Sequence, residues 1–354
     1  MTNIEKYQSL LTDEVDGLLL TSRFSRHYAA RYDIAEGVAI VTKAGCRYFT
    51  DSRYIESAQK GIEGFEVLLM DRGNPYSKLI NDAIREFGVT NLGYEEIYLT
   101  VAEFMAYEQK LEAKLTPVSH KLAQFRAVKE PYELERMRKA QEITDRAFAE
   151  VLPRIKAGMT EKQLCAELIY CLLKNGGEGL SFEPIVVSGP NTSLPHGVAG
   201  DRKIQEGDFV TMDFGVLYQG YCSDMTRTVA VGFATEEMKK VYNTVLEAQL
   251  AGIAATKAGV PGKDIDAAAR KVIEDAGYGP YFGHGYGHSL GLEVHEAPSP
   301  NGANDQPMPV GAAASAEPGI YLPGRFGVRI EDVTIFLEDG CEDITHSPKN
   351  LIIV

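Results

Sequence analysis

The chain has 354 residues, with 36 basic and 50 acidic side chains, and carries a formal net charge of −14. That balance argues against a nucleic-acid or anionic-membrane surface, which needs clustered Lys and Arg, while 44% apolar residues suffice for a large buried core. The length predicts two domains, no apolar run approaches a membrane span, and the start, MTNIEKYQSLLTDEVDGLLL, lacks the basic and apolar segments of a secretion signal. The five cysteines (Cys46, Cys165, Cys171, Cys222 and Cys341) are odd in number and form no CxxC pair, so they read as the reduced thiols of a cytoplasmic protein.

Residues 1–122 read as an α/β domain. Strands are expected at Gly17–Thr21, Gly37–Thr42, Cys46–Thr50 and Phe65–Met70, and helices at Tyr54–Lys60, Tyr76–Phe87 and Val101–Leu111. This part contains no phosphate loop and no nucleophile elbow. The polar stretch Thr116–Lys121 reads as a connection to a second domain, 123–354. There Pro131 suits the first position of a long helix along which Leu134, Met137, Ala140, Ala147, Phe148, Val151 and Leu152 recur at three- and four-residue spacing, and Thr160 with Gln163 caps the next. A repeat lies inside this domain: Lys156-Ala-Gly158 recurs as Lys257-Ala-Gly259, and Lys162, Leu164, Ala166 and Gly176 match Lys263, Ile265, Ala267 and Gly277. Two similar α/β halves facing each other about a pseudo-two-fold, an α+β domain overall, are therefore expected.

Each half carries paired acids. Phe209-Val-Thr-Met-Asp213 and Tyr221-Cys-Ser-Asp224 read as arms of a hairpin, and a turn centred between Tyr218 and Gln219 sets Asp213 opposite Asp224. Opposed like charges on an apolar ribbon are unfavourable unless a cation lies between them. One Asp in solvent, or a bulge that breaks the register, is the other reading. Glu317 and Glu331 flank a second turn at Leu322-Pro323-Gly324. Histidines fall at His196, in Pro-His-Gly, and at His284, His288 and His295 within HGYGHSLGLEVHE. Gly285, Gly287 and Gly291 argue for an extended segment rather than the helix of an HExxH zinc site. A lone histidine is more often a packing residue; beside four acids, imidazole makes an oxygen-rich set suited to a pair of divalent ions, Mn2+ first among Co2+, Fe2+ and Zn2+.

Taken in order, PHG, MDFG with SDMTRT, HGYGHSLGLEVHE, EPGIYLPG and GVRIED resemble the pita-bread metallopeptidases, in the branch of Xaa-Pro dipeptidase (prolidase) and aminopeptidase P. Thr50-Asp-Ser-Arg-Tyr and Arg126-Ala-Val-Lys129-Glu-Pro-Tyr-Glu resemble that branch's creatinase-type N-terminal domain and its connection. The resemblance implies a dinuclear-metal peptidase that cleaves the bond before proline in a dipeptide or peptide, with a hydroxide nucleophile shared by the two ions. Asp213, Asp224, His288, Glu317 and Glu331 become the metal ligands, with Glu317 also shuttling the proton. His295 becomes the oxyanion donor and His196 a substrate holder, with His284, Tyr321 and Arg329 on the substrate side or behind the ligands. It also implies a homodimer in which the N-terminal domain closes the neighbour's site. A creatinase-like C–N hydrolase and a non-catalytic binding protein on the same fold are the alternatives; such proteins lack metal ligands that are present here. Two stretches depart from the family: Ser25–Tyr32, and Gly311-Ala-Ala-Ala-Ser-Ala-Glu317, whose small side chains predict a wider site wall.

Overall fold

The structure, a computed structural model, describes residues 1–34 and 36–354. It divides into two compact units, Met1–Arg126 and Ala127–Val354.

The first unit runs α1 (Asn3–Gln8), β1 (Gly17–Leu20), α2 (Arg23–Ala30), β2 (Val38–Thr42), β3 (Cys46–Thr50), α3 (Ile55–Gly61), β4 (Glu66–Leu69), α4 (Tyr76–Phe87), β5 (Asn91–Tyr94), α5 (Val101–Lys110), β6 (Lys114–Pro117) and α6 (Ser119–Ala127). Its six strands form one mixed sheet in the order β4-β3-β2-β1-β5-β6. β1, Gly-Leu-Leu-Leu, is central and buried along its whole length, which is why it reads as a continuous apolar run rather than an alternation. Leu19, Ile40, Phe49, Ile80, Ala83 and Leu92 form the core. The stretch Thr116–Lys121 is not a bare connection: it ends β6 and begins α6, and a division at 122/123 falls inside that helix. β6 is a half-exposed edge strand with Pro117 at its end, so it carries no alternating apolar signal.

The second unit begins with α7 (Pro131–Val151) and α8 (Glu161–Lys174), followed by β7 (Gly179–Leu180), β8 (Ile185–Ser188), β9 (Phe209–Phe214), β10 (Val216–Tyr218), β11 (Tyr221–Cys222) and β12 (Met225–Ala230). α9 (Glu236–Ala255) and α10 (Gly262–Asp275) then open a second series, β13 (Ala313–Ala316), β14 (Gly319–Leu322), β15 (Phe326–Arg329), β16 (Asp332–Leu337) and β17 (Gly340–Asp343). α8 and α10 stand at an offset of 101 residues at both ends. Gly158 and Gly259 both take positive φ, 93° and 81°. Their N–H groups donate to Ile204 O and Met308 O at the same 2.8 Å. The repeat is therefore one of backbone geometry as well as of residue type. Each half has its own core, Phe148, Leu168, Val210 and Met212 in the first and Val241, Ile265, Ile320 and Phe336 in the second. The halves are joined where Glu331 N–H donates to Thr226 O at 3.1 Å.

The alanine run does not widen the site. Ala312, Ala314 and Ala316 are fully buried in the second core, and none of residues 312–316 lines the cleft described below. Small side chains serve packing there, beside Gly252 of α9, whose missing Cβ admits the Tyr286 ring. Among the described residues no helix is long and apolar enough to cross a membrane.

Candidate active site

The first pair of acids is set by a tight turn. β10 and β11 pair Tyr218 with Tyr221, leaving Gln219 and Gly220 as a two-residue loop with φ of 48° and 81°. Two successive positive φ values define the type I′ hairpin, whose twist matches its strands. The turn is centred one residue later than the sequence predicts. β9 and β12 accordingly pair Asp213 with Thr226, not with Asp224. A shift of two residues in register keeps the face, so Asp213 and Asp224 remain on one side as diagonal rather than opposed neighbours. In the other half the ladders place Gly319 opposite Arg329 and Ala316 opposite Asp332. Between them Glu317 faces Glu331, as the sequence predicts.

The segment 283–298 holds no helix. Its glycines admit close backbone contact: a Cβ on Gly287 would lie 2.0 Å from Ser315 O. That approach lets His288 N–H donate to Ser315 Oγ at 3.0 Å and Ser315 N–H to His288 O at 2.7 Å. His288 Nδ1 lies 3.3 Å from Ser289 O, which puts the ring proton there and leaves Nε2 as a lone pair. Nε2 sits 3.5 Å from Asp224 Oδ2 and 3.4 Å from Glu317 Oε1. Ligand atoms of Asp224, His288 and Glu331 all lie within 4.8 Å of one another, a candidate metal site.

Around this centre the remaining groups are hydrogen-bonded in a consistent order. Arg329, buried, donates to Asp213 Oδ2 at 2.6 Å, to Thr226 Oγ1 at 3.0 Å and to Tyr321 OH at 2.9 Å. Thr226 Oγ1 donates in turn to Glu331 Oε2 at 2.6 Å. Burial pushes the Tyr321 phenol up to about 12, so it stays protonated and donates to His284 Nε2 at 2.9 Å. His284 Nδ1 donates to Gly285 O, and burial holds this imidazole neutral. His196 and His295 are exposed to the cleft; His295 stacks edge-on to His288 with ring centroids 4.3 Å apart. The cleft, about 1240 Å³, is lined by all four acids and by His196, His284, His288 and His295.

The electrostatics fit a bound cation. Burial, with the charges of Asp213 and Glu317 beside it, pushes the Asp224 carboxyl well above the usual carboxylate range. Burial and the charges of Asp224, Glu317 and Asp213 do the same to Glu331. Glu317 is raised by burial although His284 and Arg329 oppose the shift. One guanidinium faces four carboxylates, and Asp213 Oδ1 and Asp224 Oδ1 are buried with no hydrogen-bond partner among the described residues. Buried acids without donors are strongly unfavourable as anions. Oxygen donors of this kind around one unprotonated imidazole nitrogen fit hard or borderline divalent ions.

The structure thus brings together all of the sequence-predicted residues in the cleft or directly behind it. The sequence did not single out Ser315, which donates to Glu317 Oε1 at 3.1 Å, or Gln141, whose Oε1 accepts the Asp224 N–H at 3.3 Å. Thr226 had a signal, since the hairpin places it opposite Asp213 once the turn residues are read as Gln-Gly.

Comparison with known proteins agrees with this geometry. Residues 135–337 match the model of metallopeptidase family M24, and residues 4–128 that of the creatinase/prolidase N-terminal domain. The chain is 39% identical over 353 residues to a Bacillus subtilis protein named "Uncharacterized peptidase YqhT", covering 99% of both. It is 40% identical over 227 residues to an Xaa-Pro dipeptidase of Pyrococcus furiosus, covering 64% of this chain and 65% of that one. Its structure superposes on an Xaa-Pro dipeptidase from Bacillus anthracis with a TM-score of 0.95, 41% identity and 99% coverage of both chains. An X-Pro aminopeptidase from Thermotoga maritima gives 0.93, 36% and full coverage of both. The chain belongs to metallopeptidase family M24, in the prolidase and aminopeptidase P branch with a creatinase-type N-terminal domain.

Proposed function

We propose that the protein hydrolyses the peptide bond before proline, using two divalent ions held by Asp213, Asp224, His288, Glu317 and Glu331. The observation that carries this reading is the Asp224–His288–Glu331 cluster lining the cleft, with the buried Asp213 Oδ1 and Asp224 Oδ1 left without a hydrogen-bond partner among the described residues. The names of the relatives, Xaa-Pro dipeptidase and X-Pro aminopeptidase, support the substrate class. Bound ions would polarise the scissile carbonyl and lower the pKa of water to give a hydroxide nucleophile at neutral pH. Glu317, whose carboxyl is raised by burial, takes the proton of the attacking water and returns it to the leaving proline nitrogen. His295 donates a hydrogen bond to the oxygen that becomes negative, and His196 holds the substrate near the scissile bond. The Arg329–Tyr321–His284 chain keeps Asp213 oriented and the imidazole neutral on the substrate side.

The test is selectivity. Protein reconstituted with Mn2+ is offered Gly-Pro, Ala-Pro, Gly-Ala and an Xaa-Pro-Yaa tripeptide. Turnover of the proline peptides with little on Gly-Ala is expected. Equal rates on Gly-Ala, or no hydrolysis of any proline peptide, contradict the reading.

A further inference from the structure

A second buried charge pair lies behind the histidine segment and belongs to no step above. Lys129 Nζ meets Glu296 Oε2 at 2.7 Å, with side chains 1% and 3% exposed. Lys129 belongs to the Arg126-Ala-Val-Lys129 motif, and its backbone N–H donates to Gly311 O at 2.9 Å. Glu296 directly follows His295. Its N–H donates to Ser289 O at 2.7 Å, and its Oε1 accepts the Glu293 N–H at 3.2 Å. These bonds close residues 289–296 into a loop that begins just after His288 and holds His295 next to its closing residue. Gly291 marks where the loop crosses the pair. A Cβ there would lie 2.8 Å from Glu296 Oε2 and 2.9 Å from Lys129 Nζ. Gly291 O in turn accepts the Cys222 N–H at 2.7 Å, two residues before Asp224. One ion pair therefore touches the loop that follows His288 and carries His295 and, through that loop, the hairpin that carries an acid.

Dehydrating a Lys–Glu pair is costly, and apolar side chains of similar volume often stabilise as well. A pair kept at a loop without helix or strand therefore fixes geometry. We propose that Lys129 and Glu296 are positioning residues for His295, holding its ring against His288 and toward the cleft. Neither touches substrate or the reacting atoms. The proposal rests on the reading of His295 as the oxyanion donor.

A double-mutant cycle tests it in the full, metal-replete chain. Lys129→Met and Glu296→Gln are each made alone and in a His295→Ala background, with kcat, KM, metal content and amide hydrogen exchange of residues 288–298 measured. Each single variant is expected to lose at least tenfold in kcat with KM and metal content near wild type. In the His295→Ala background the same substitutions should cost less than twofold, because the ring they position is gone. A structural role would lower both backgrounds by the same factor, and that result overturns the proposal, as does wild-type kcat in both single variants. Glu296→Gln keeps the side-chain shape and carries the cycle if Lys129→Met does not fold. Exchange gives a readout free of activity. Protection in 288–298 should fall at least tenfold in the variants; unchanged protection overturns the proposal even if the wild type proves inactive on proline peptides. Wild-type inactivity with the expected loss of protection defeats the functional reading alone.

Discussion

His295 shows how a residue's surroundings decide its role. Four acids and His288 already converge, and His295 stands exposed to the cleft with its ring against His288 rather than packed in a strand. Removing it deletes a donor and little packing. His295→Ala should keep metal content and thermal midpoint near wild type while kcat drops by about two orders of magnitude, the typical loss of one oxyanion donor. Equal kcat in the folded variant removes His295 from the mechanism; lost metal makes it a ligand. At this scale the titratable site residues were legible, because acids and imidazoles spaced along apolar strands are costly to bury unless they hold a ligand. Their supports were not. Ser315 and Gln141 are common residue types whose work depends on what the fold sets beside them. Arg329 was legible only as a neighbour of the proposed ligands; its ion pair with Asp213 spans 116 residues of chain.

Elements carry the register, and the register aims the acids. The hairpin between Asp213 and Asp224 turns at Gln219-Gly220, where Gln219 holds φ of 48°. A non-glycine side chain in the left-handed region is strained by about 1 kcal/mol. Gln219→Gly should therefore stabilise the unit by about 0.5–1 kcal/mol, read as a rise of about 1–3 °C in thermal midpoint, with activity unchanged. A fall in the midpoint would show that the Gln219 side chain, not the turn geometry, holds the hairpin. The sequence placed this turn one residue early because Tyr218 and Gln219 carry no turn preference of their own, while Gly220 does. Helices with clear periodicity were legible to the residue: α4 is Tyr76–Phe87, as read, and α8 is capped by Thr160 and Gln163. α6 was missed because its apolar residues do not segregate to one face, and β6 because it lies at a sheet edge. The 101-residue repeat was legible because its glycines take left-handed φ at matching places in both halves.

At the scale of the whole molecule, stability and metal are linked. Asp224 and Glu331 have carboxyls raised by burial first and by neighbouring carboxylate charge after it, and Glu317 is raised by burial as well. In metal-free protein these three carboxyls bind more protons in the folded than in the unfolded state above the ordinary carboxylate range, so their contribution to stability falls as pH rises, while His284, His288 and His295, lowered by burial, contribute in the opposite sense up to the ordinary imidazole range. Above about pH 7, where the histidines are neutral in both states, the thermal midpoint of chelated protein should fall as the pH rises. Metal binding displaces those protons, so the stabilisation by added Mn2+ should grow over the same interval. A chelated protein whose midpoint rises through that range would mean that other groups dominate. The two-unit organisation was legible in the sequence, since the acidic and histidine motifs and the repeat fall on one side of the division; its position within α6 was not, because the helix runs through it.

The measurement that bears most directly on the central claim is metal stoichiometry joined to activity. Protein stripped by chelation is reconstituted with Mn2+, bound metal is determined by mass spectrometry, and Gly-Pro hydrolysis is followed as the ions enter. The site predicts about two ions per chain, activity that rises with occupancy, and loss of at least one ion in His288→Ala. A folded chain that binds no divalent ion under metal-replete conditions, or that hydrolyses Gly-Pro equally well after complete chelation, would contradict it.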